Sequence, residues 1–401
     1  AARDAQGVLL VLSGTDLLSD GIGPLRCEMD GSRYGLRRGA EDMFHTSRFA
    51  LVDKTVRHVG DPVAFIIAEK FNQARDAADL VDVDYEILQP VSSALEAIRE
   101  GKPLVWDDCP GNVCFRYELG DKSTTESGIA KAAHVTRQKI SISRVSANTM
   151  EPRGCIGDYD PRNDRYTLHA GLQAPHSVRN DLAENVFSLP QHKIRVVAGD
   201  VGGSFGMKGG TYLEYVLVLW ASKRLGRPVK WISDRSEAFA SDNHARDNSC
   251  EASLALDADG RFLALKVSSV VNLGAYLASK GPVPAISNLG SLAGVYTTPA
   301  IYVDVTGVFT NTNSTAPYRG AGRPEASYII ERMIDLAAVE LGVDRTELRR
   351  RNTIPTESMP YKTALTFTYD SGEFNKNLDD ALVLAEYKNF AARRNKSSKE
   401  G

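Results

Sequence analysis

Apolar positions recur along this chain with two periods, and those periods predict its elements. Residues 59–69 form an apolar run with Pro62 near its start, a strand signal. Asn72 is placed to cap a helix reaching about Leu80. Beyond it Val81, Val83, Tyr85 and Ile87 alternate with Asp82, Asp84 and Glu86, which predicts a half-buried strand and completes a small α+β unit. A polar stretch bearing glycine and proline, Gly101 to Asn112, predicts a linker. Strand-like runs follow at 139–145, 166–170, 194–198, 229–233, 249–256, 263–271 and 302–309. Helical patterns fall between them at 176–186, 212–225 and 329–341. Asp257-Ala-Asp-Gly260 predicts a hairpin turn. Asp344 with Glu347 predicts a capped start for a helix over 345–351, and a further helix-like segment lies near 378–390 before a polar tail. The run Arg349-Arg350-Arg351 is expected on a solvated helix face.

With 401 residues, 42% hydrophobic and 25% charged, the chain can bury two cores, and its length suggests two or three domains. A formal net charge of −3 supplies no basic footprint for nucleic acid. Five scattered cysteines point to reduced thiols and a cytoplasmic setting, with a periplasmic one still open. Cys109 and Cys114 lack a second pair, so a zinc or iron–sulfur site is not expected. No run has the apolar length of a membrane span.

Candidate chemistry concentrates in two glycine-rich loops. The first, Val196-Val-Ala-Gly-Asp-Val-Gly-Gly-Ser-Phe-Gly-Met-Lys-Gly-Gly210, ends an apolar run and opens into the helix predicted from Tyr212. Free N–H groups and the helix dipole at such a start stabilise an anion, and glycine lets a ligand approach the main chain. Lys208 follows Met207 and precedes Gly209, so the Walker pattern fails; Gly203, Gly206 and Gly209 give G-x-x-G-x-x-G, not the Rossmann spacing. The second, Asn311 to Ala326, follows a strand-like run and carries Arg319 and Arg323 among Gly320 and Gly322. Guanidinium groups there suit phosphate or carboxylate oxygens. One such loop alone can equally be a tight turn, and Lys208 and Arg323 are expected to pair with nearby carboxylates before any direct cofactor role.

Four motifs in order carry a family resemblance: Met150-Glu-Pro-Arg-Gly154, Leu172-Gln-Ala-Pro-His176, Gly202-Gly-Ser-Phe-Gly-Met-Lys208 and Ala316-Pro-Tyr-Arg-Gly-Ala-Gly-Arg-Pro324. The chain resembles the molybdenum-binding large subunit of the xanthine dehydrogenase, aldehyde oxidase and aerobic carbon monoxide dehydrogenase family. The stretch His58-Val-Gly-Asp-Pro-Val-Ala-Phe-Ile-Ile-Ala68 is similar to that family's α/β-hammerhead domain, and the helix bearing Glu331, Asp335 and Glu340 also fits.

That resemblance implies an α+β fold of mixed sheets with helices. A hammerhead domain would occupy residues 1–100, a linker 101–115, and the first part of the molybdenum-cofactor-binding domain 116–401. It implies molybdopterin with molybdenum, in the cytosine dinucleotide form, held by the pterin dithiolene with no protein side chain on the metal. Cofactor-binding roles fall on Gln173, Gly203, Ser204, Phe205, Gly206, Arg319 and Gly320: Gln173 toward a metal oxo ligand, Phe205 and Gly206 at the metal's border, Arg319 in the active-site loop. FAD and [2Fe–2S] centres would sit on partners, an FAD-binding medium subunit and an iron–sulfur small subunit, in a dimer of heterotrimers.

Departures narrow the chemistry. Gly320 stands where copper-containing carbon monoxide dehydrogenases carry a cysteine, and Gly209 and Ala321 replace the glutamate and aromatic residue of xanthine-specific members. What remains is hydroxylation of an aldehyde, an N-heterocycle or a similar small substrate with water-derived oxygen. The family's general-base glutamate lies in a later half with no counterpart here, so no catalytic residue is expected in this chain, which is read as an inactive portion of a larger subunit. A non-catalytic assembly module, a copper-free form II carbon monoxide dehydrogenase-like protein and an unrelated nucleotide-binding enzyme are the alternatives. Glu151 is expected in a structural network, and His176 either faces the cofactor or bonds a backbone group.

Overall fold

The computed structural model describes residues 1–400. Its largest sheet has seven strands in the order Glu41–Asp42, Arg37–Arg38, Val113–Gly120, Ala300–Phe309, Phe262–Gly274, Asn248–Leu256 and His134–Ile142. Alternate residues of the central strands point to one face, where Phe115, Val303, Val305, Leu265 and Val267 pack against Ile329, Ile330, Met333 and Ile334 of the helix Arg323–Leu341. Asp257–Gly260 turns the chain between two antiparallel neighbours of this sheet, as its sequence predicts.

A second core surrounds the helix Leu213–Leu225, in which Leu213 and every residue from Tyr215 to Ser222 are buried. Each large apolar side chain so enclosed contributes about 1.5–3 kcal/mol. The helix lies on a four-stranded sheet ordered Val229–Ile232, Gly154–Asp160, Arg165–Ala170 and Ile194–Val197. Gly157 permits this contact, since a β-carbon there would meet the backbone of Val218 at 2.5 Å. The two-stranded pair Val8–Ser13 and Ala64–Ala68 adds Leu12 and Ile67 to the same core.

Several expectations change. Residues 81–87 form no strand and pair with none among the described residues, and Ile87 is 92% exposed. The strand Val113–Gly120 begins three residues before position 116, and buried Asn112 accepts from the Val105 amide and donates to the Ala97 and Pro103 carbonyls, which ties residues 97–112 together. Helix Pro175–Asp181 continues as a π turn over Leu182–Val186. The helix predicted near 378–390 divides into Phe374–Leu384 and Phe390–Glu400. Arg349 does not lie on a solvated face: it bonds Glu331 and Asp335 at 2.7 and 2.9 Å and ties helix Arg345–Asn352 to its predecessor.

Candidate functional site

Strand direction brings the motifs to one place. Arg165–Ala170 and Ile194–Val197 are parallel neighbours, so Gln173 and the first glycine loop leave the sheet at the same end. The antiparallel strand Gly154–Asp160 starts there, with Cys155 opposite Ala170, and this sets Glu151 beside them. In the larger sheet Ala300–Phe309 runs parallel to Phe262–Gly274 and opens into the second loop. Crevices beyond the carboxyl ends of parallel strands are where such sheets place ligands.

The first loop is fastened along its length. Glu151 accepts from the Gly202 amide at 2.8 Å and from Lys208 Nζ at 2.7 Å, and Lys208 also donates to the Glu151 carbonyl. Lys208 is fully buried and pairs with a carboxylate, so its ammonium is not free for a ligand. The lysine bond, aided by the Gly202 amide, holds the Glu151 carboxyl below its ordinary pKa. This is the structural network expected of Glu151. Gln173 Oε1 accepts from the Gly206 amide at 2.8 Å and from the Ser204 hydroxyl. Both bonds use the amide oxygen, which leaves the Gln173 NH2 as a donor on an exposed face.

The two loops touch. A β-carbon on Gly206, whose φ is +100°, would overlap the Pro317 carbonyl, and the Arg319 amide donates to the Phe205 carbonyl at 2.9 Å. Arg319 projects an exposed guanidinium that pairs with no carboxylate among the described residues. Gly203 and Gly320 have φ of +103° and +96°, with Phe205 at +54° and Ala321 at +45°. Left-handed backbone at residues bearing a β-carbon costs energy and concentrates at functional sites. The structure therefore brings together all seven candidates, Gln173, Gly203, Ser204, Phe205, Gly206, Arg319 and Gly320.

The helix starts differ from the expected anion cradle. Helix Leu213–Leu225 begins seven residues beyond Gly206, and its first turn carries Glu214, which accepts from buried Arg153 at 2.5 and 3.1 Å. Arg153 also bonds Asp242 and stacks on Tyr212 at 3.8 Å. Helix Arg323–Leu341 begins directly at Gly322 and carries Glu325, bonded to Arg246 at 2.7 Å. Each start thus holds one of the protein's own carboxylates, paired with an arginine.

Sequence alone does not single out Arg153 or Arg246; the Met150–Gly154 motif carries the available signal for the first. Arg323 reaches back to the Gly320 carbonyl at 3.4 Å, not to a carboxylate. His176 is exposed in the first turn of its helix and bonds no backbone group among the described residues. Five cysteines are free, and no three His, Cys, Asp or Glu residues gather as a metal site among the described residues.

The chain belongs to the molybdopterin-binding family of aldehyde oxidases and xanthine dehydrogenases. Residues 105–353 match the sequence profile of the molybdopterin cofactor-binding domain, and residues 1–89 that of the aldehyde oxidase and xanthine dehydrogenase a/b hammerhead domain. The carbon monoxide dehydrogenase large chain of Hydrogenophaga pseudoflava is 35% identical over 352 residues, covering 84% of this chain and 44% of that one. A 6-hydroxypseudooxynicotine dehydrogenase complex subunit gamma of Paenarthrobacter nicotinovorans is 35% identical over 341 residues, covering 84% and 42%. Quinoline 2-oxidoreductase from Pseudomonas putida 86 superposes with a TM-score of 0.91 at 33% identity, over 100% of this chain and 50% of its own. The chain spans less than half the length of these two sequence relatives.

The residues present suit a pterin-held metal. Gln173 offers an amide donor, and the exposed Arg319 guanidinium suits anionic oxygens.

Proposed function

We propose that this chain forms one wall of the molybdenum-cofactor cleft of a hydroxylase acting on an aldehyde, an N-heterocycle or a similar small substrate with water-derived oxygen. The observation that carries this is the orientation of Gln173: its oxygen is consumed by Gly206 and Ser204, so its nitrogen can donate only outward. When bound, molybdopterin supplies the two-electron redox chemistry.

The chain's own residues bind and orient. Gln173 would offer an N–H to the bound group, the Gly203–Gly206 backbone would line its site and exclude bulk there, and Arg319 would offer charge to its anionic oxygens. The relatives named as dehydrogenases and oxidoreductases support the class. Electrons would leave through [2Fe–2S] and FAD centres on a small and a medium subunit, in a dimer of heterotrimers in the cytoplasm, with the cofactor as its cytosine dinucleotide.

The test is molybdenum and pterin content after production in a host that makes the cofactor, in the natural polypeptide that carries this sequence. Near-stoichiometric metal that falls at least tenfold in Gln173→Leu is expected. Absence of metal and pterin from the folded wild-type protein would overturn the proposal and favour a non-catalytic assembly role.

A further inference from the structure

Arg246 lies between the helix Arg235–Ser241 and the strand Asn248–Leu256, where both it and Asp247 adopt left-handed backbone, φ +65° and +70°. Residues with a β-carbon resist that conformation, so the surroundings must hold it. What they hold is a guanidinium aimed at one loop. Nη1 lies 2.7 Å from Glu325 Oε1, Nη2 donates to the Arg319 carbonyl at 3.0 Å, and the group stands 5.2 Å from the centre of the Tyr318 ring. The Arg246 and Glu325 side chains are only 11% and 5% exposed, so solvent screens this pair little.

Those three contacts grip the second loop at its entrance, at its exposed arginine and at the helix that closes it. Arg319 in turn bonds Phe205, and Gln173 bonds the next residue, Gly206. A path of direct contacts therefore joins Arg246 to both loops. We infer that Arg246 is a positioning residue: its planar fork sets the Tyr318–Gly322 loop, and through the Arg319–Phe205 bond it fixes where the cleft presents Arg319, Phe205 and Gln173. A lysine could keep the ion pair with Glu325 but could not bond Arg319 in the same plane. Arg153 is the control: it is the more deeply enclosed of the two and carries two ion pairs, but its partners Glu214 and Asp242 lie outside the two loops.

This rests on the proposed cofactor cleft only for what the loops serve. Hydrogen exchange resolved over residues 203–207 and 317–322 in the natural polypeptide that carries this sequence, prepared without cofactor, is compared among wild type, Arg246→Lys and Arg153→Lys, with denaturant unfolding measured in parallel. Arg246→Lys should raise exchange in both segments at least tenfold beyond the change in global stability. Arg153→Lys should move both segments only as far as global stability moves. If Arg246→Lys does not fold, Tyr318→Leu, which spares the ion pair, should raise exchange in the same two segments at least threefold. Wild-type exchange in the folded variant, or a uniform rise along the chain, would overturn the inference.

Molybdenum retention is read separately in the natural polypeptide. Faster loss of metal from Arg246→Lys than from Arg153→Lys extends the inference to the cofactor. Altered loop exchange in a protein that never takes up metal would leave the positioning role standing and overturn the cofactor proposal instead.

Discussion

The backbone N–H of Arg319 bonds the carbonyl of Phe205 at 2.9 Å, a contact between residues 114 positions apart that makes one surface of two loops. The loops belong to different sheets and different cores, so their junction is where the two halves of the molecule must agree in position.

Gly206 should be intolerant of any side chain for this reason. A β-carbon would overlap the Pro317 carbonyl and would sit on a backbone with φ of +100°. Gly206→Ala is expected to destabilise the chain by about 2 kcal/mol or more, while Gly199→Ala, with open space around it, should stay within about 0.5 kcal/mol. Urea unfolding of the two variants checks this, and equal midpoints would refute it.

Arg153 is fully buried among Glu214, Asp242, Ser241 and the Tyr212 ring. Those carboxylates hold its guanidinium protonated, against the cost of burial. Arg153→Met strands the carboxylates without their cation and should cost about 3–5 kcal/mol. A loss under 1 kcal/mol by chemical denaturation would show that water or rearrangement compensates.

The Glu151–Lys208 pair predicts a pH dependence of known sign. Folding lowers the Glu151 pKa from 4.5, so its contribution is present above 4.5 and disappears as pH falls through the lower folded value. Because the carboxylate is partly exposed, that contribution is on the order of 1 kcal/mol. The stability gap between wild type and Glu151→Gln should close on acidification below pH 4.5. A gap that widened there would contradict the assignment.

Much of the fold is legible where local pattern and packing coincide. The apolar run after Tyr212 reads as a buried helix because every face of it is enclosed, and the strands 248–256 and 262–274 read correctly because Asp257–Gly260 supplies their turn. Gly154–Asp160 is not legible as a strand: its glycine at 157 and its acids hide the signal, and that glycine is there for the helix above it. Val81 to Ile87 fails in the opposite way, since alternation specifies a face but not a neighbour.

The candidate residues carry local motifs, which is why sequence reaches them. Glu214 and Glu325 escape notice as anchors because their arginine partners stand 61 and 79 positions away.

The fastening of the first loop bears on how any ligand would be bound. With Glu151 at its entrance, Gln173 at Gly206 and the Arg319 junction beyond, the backbone from Gly202 to Lys208 is already held in one arrangement. Ordering a free loop costs about 1–2 kcal/mol per residue, and here that loss is incurred during folding. A partner meeting this surface finds little chain entropy left to remove, so its affinity would reflect contacts made rather than disorder overcome.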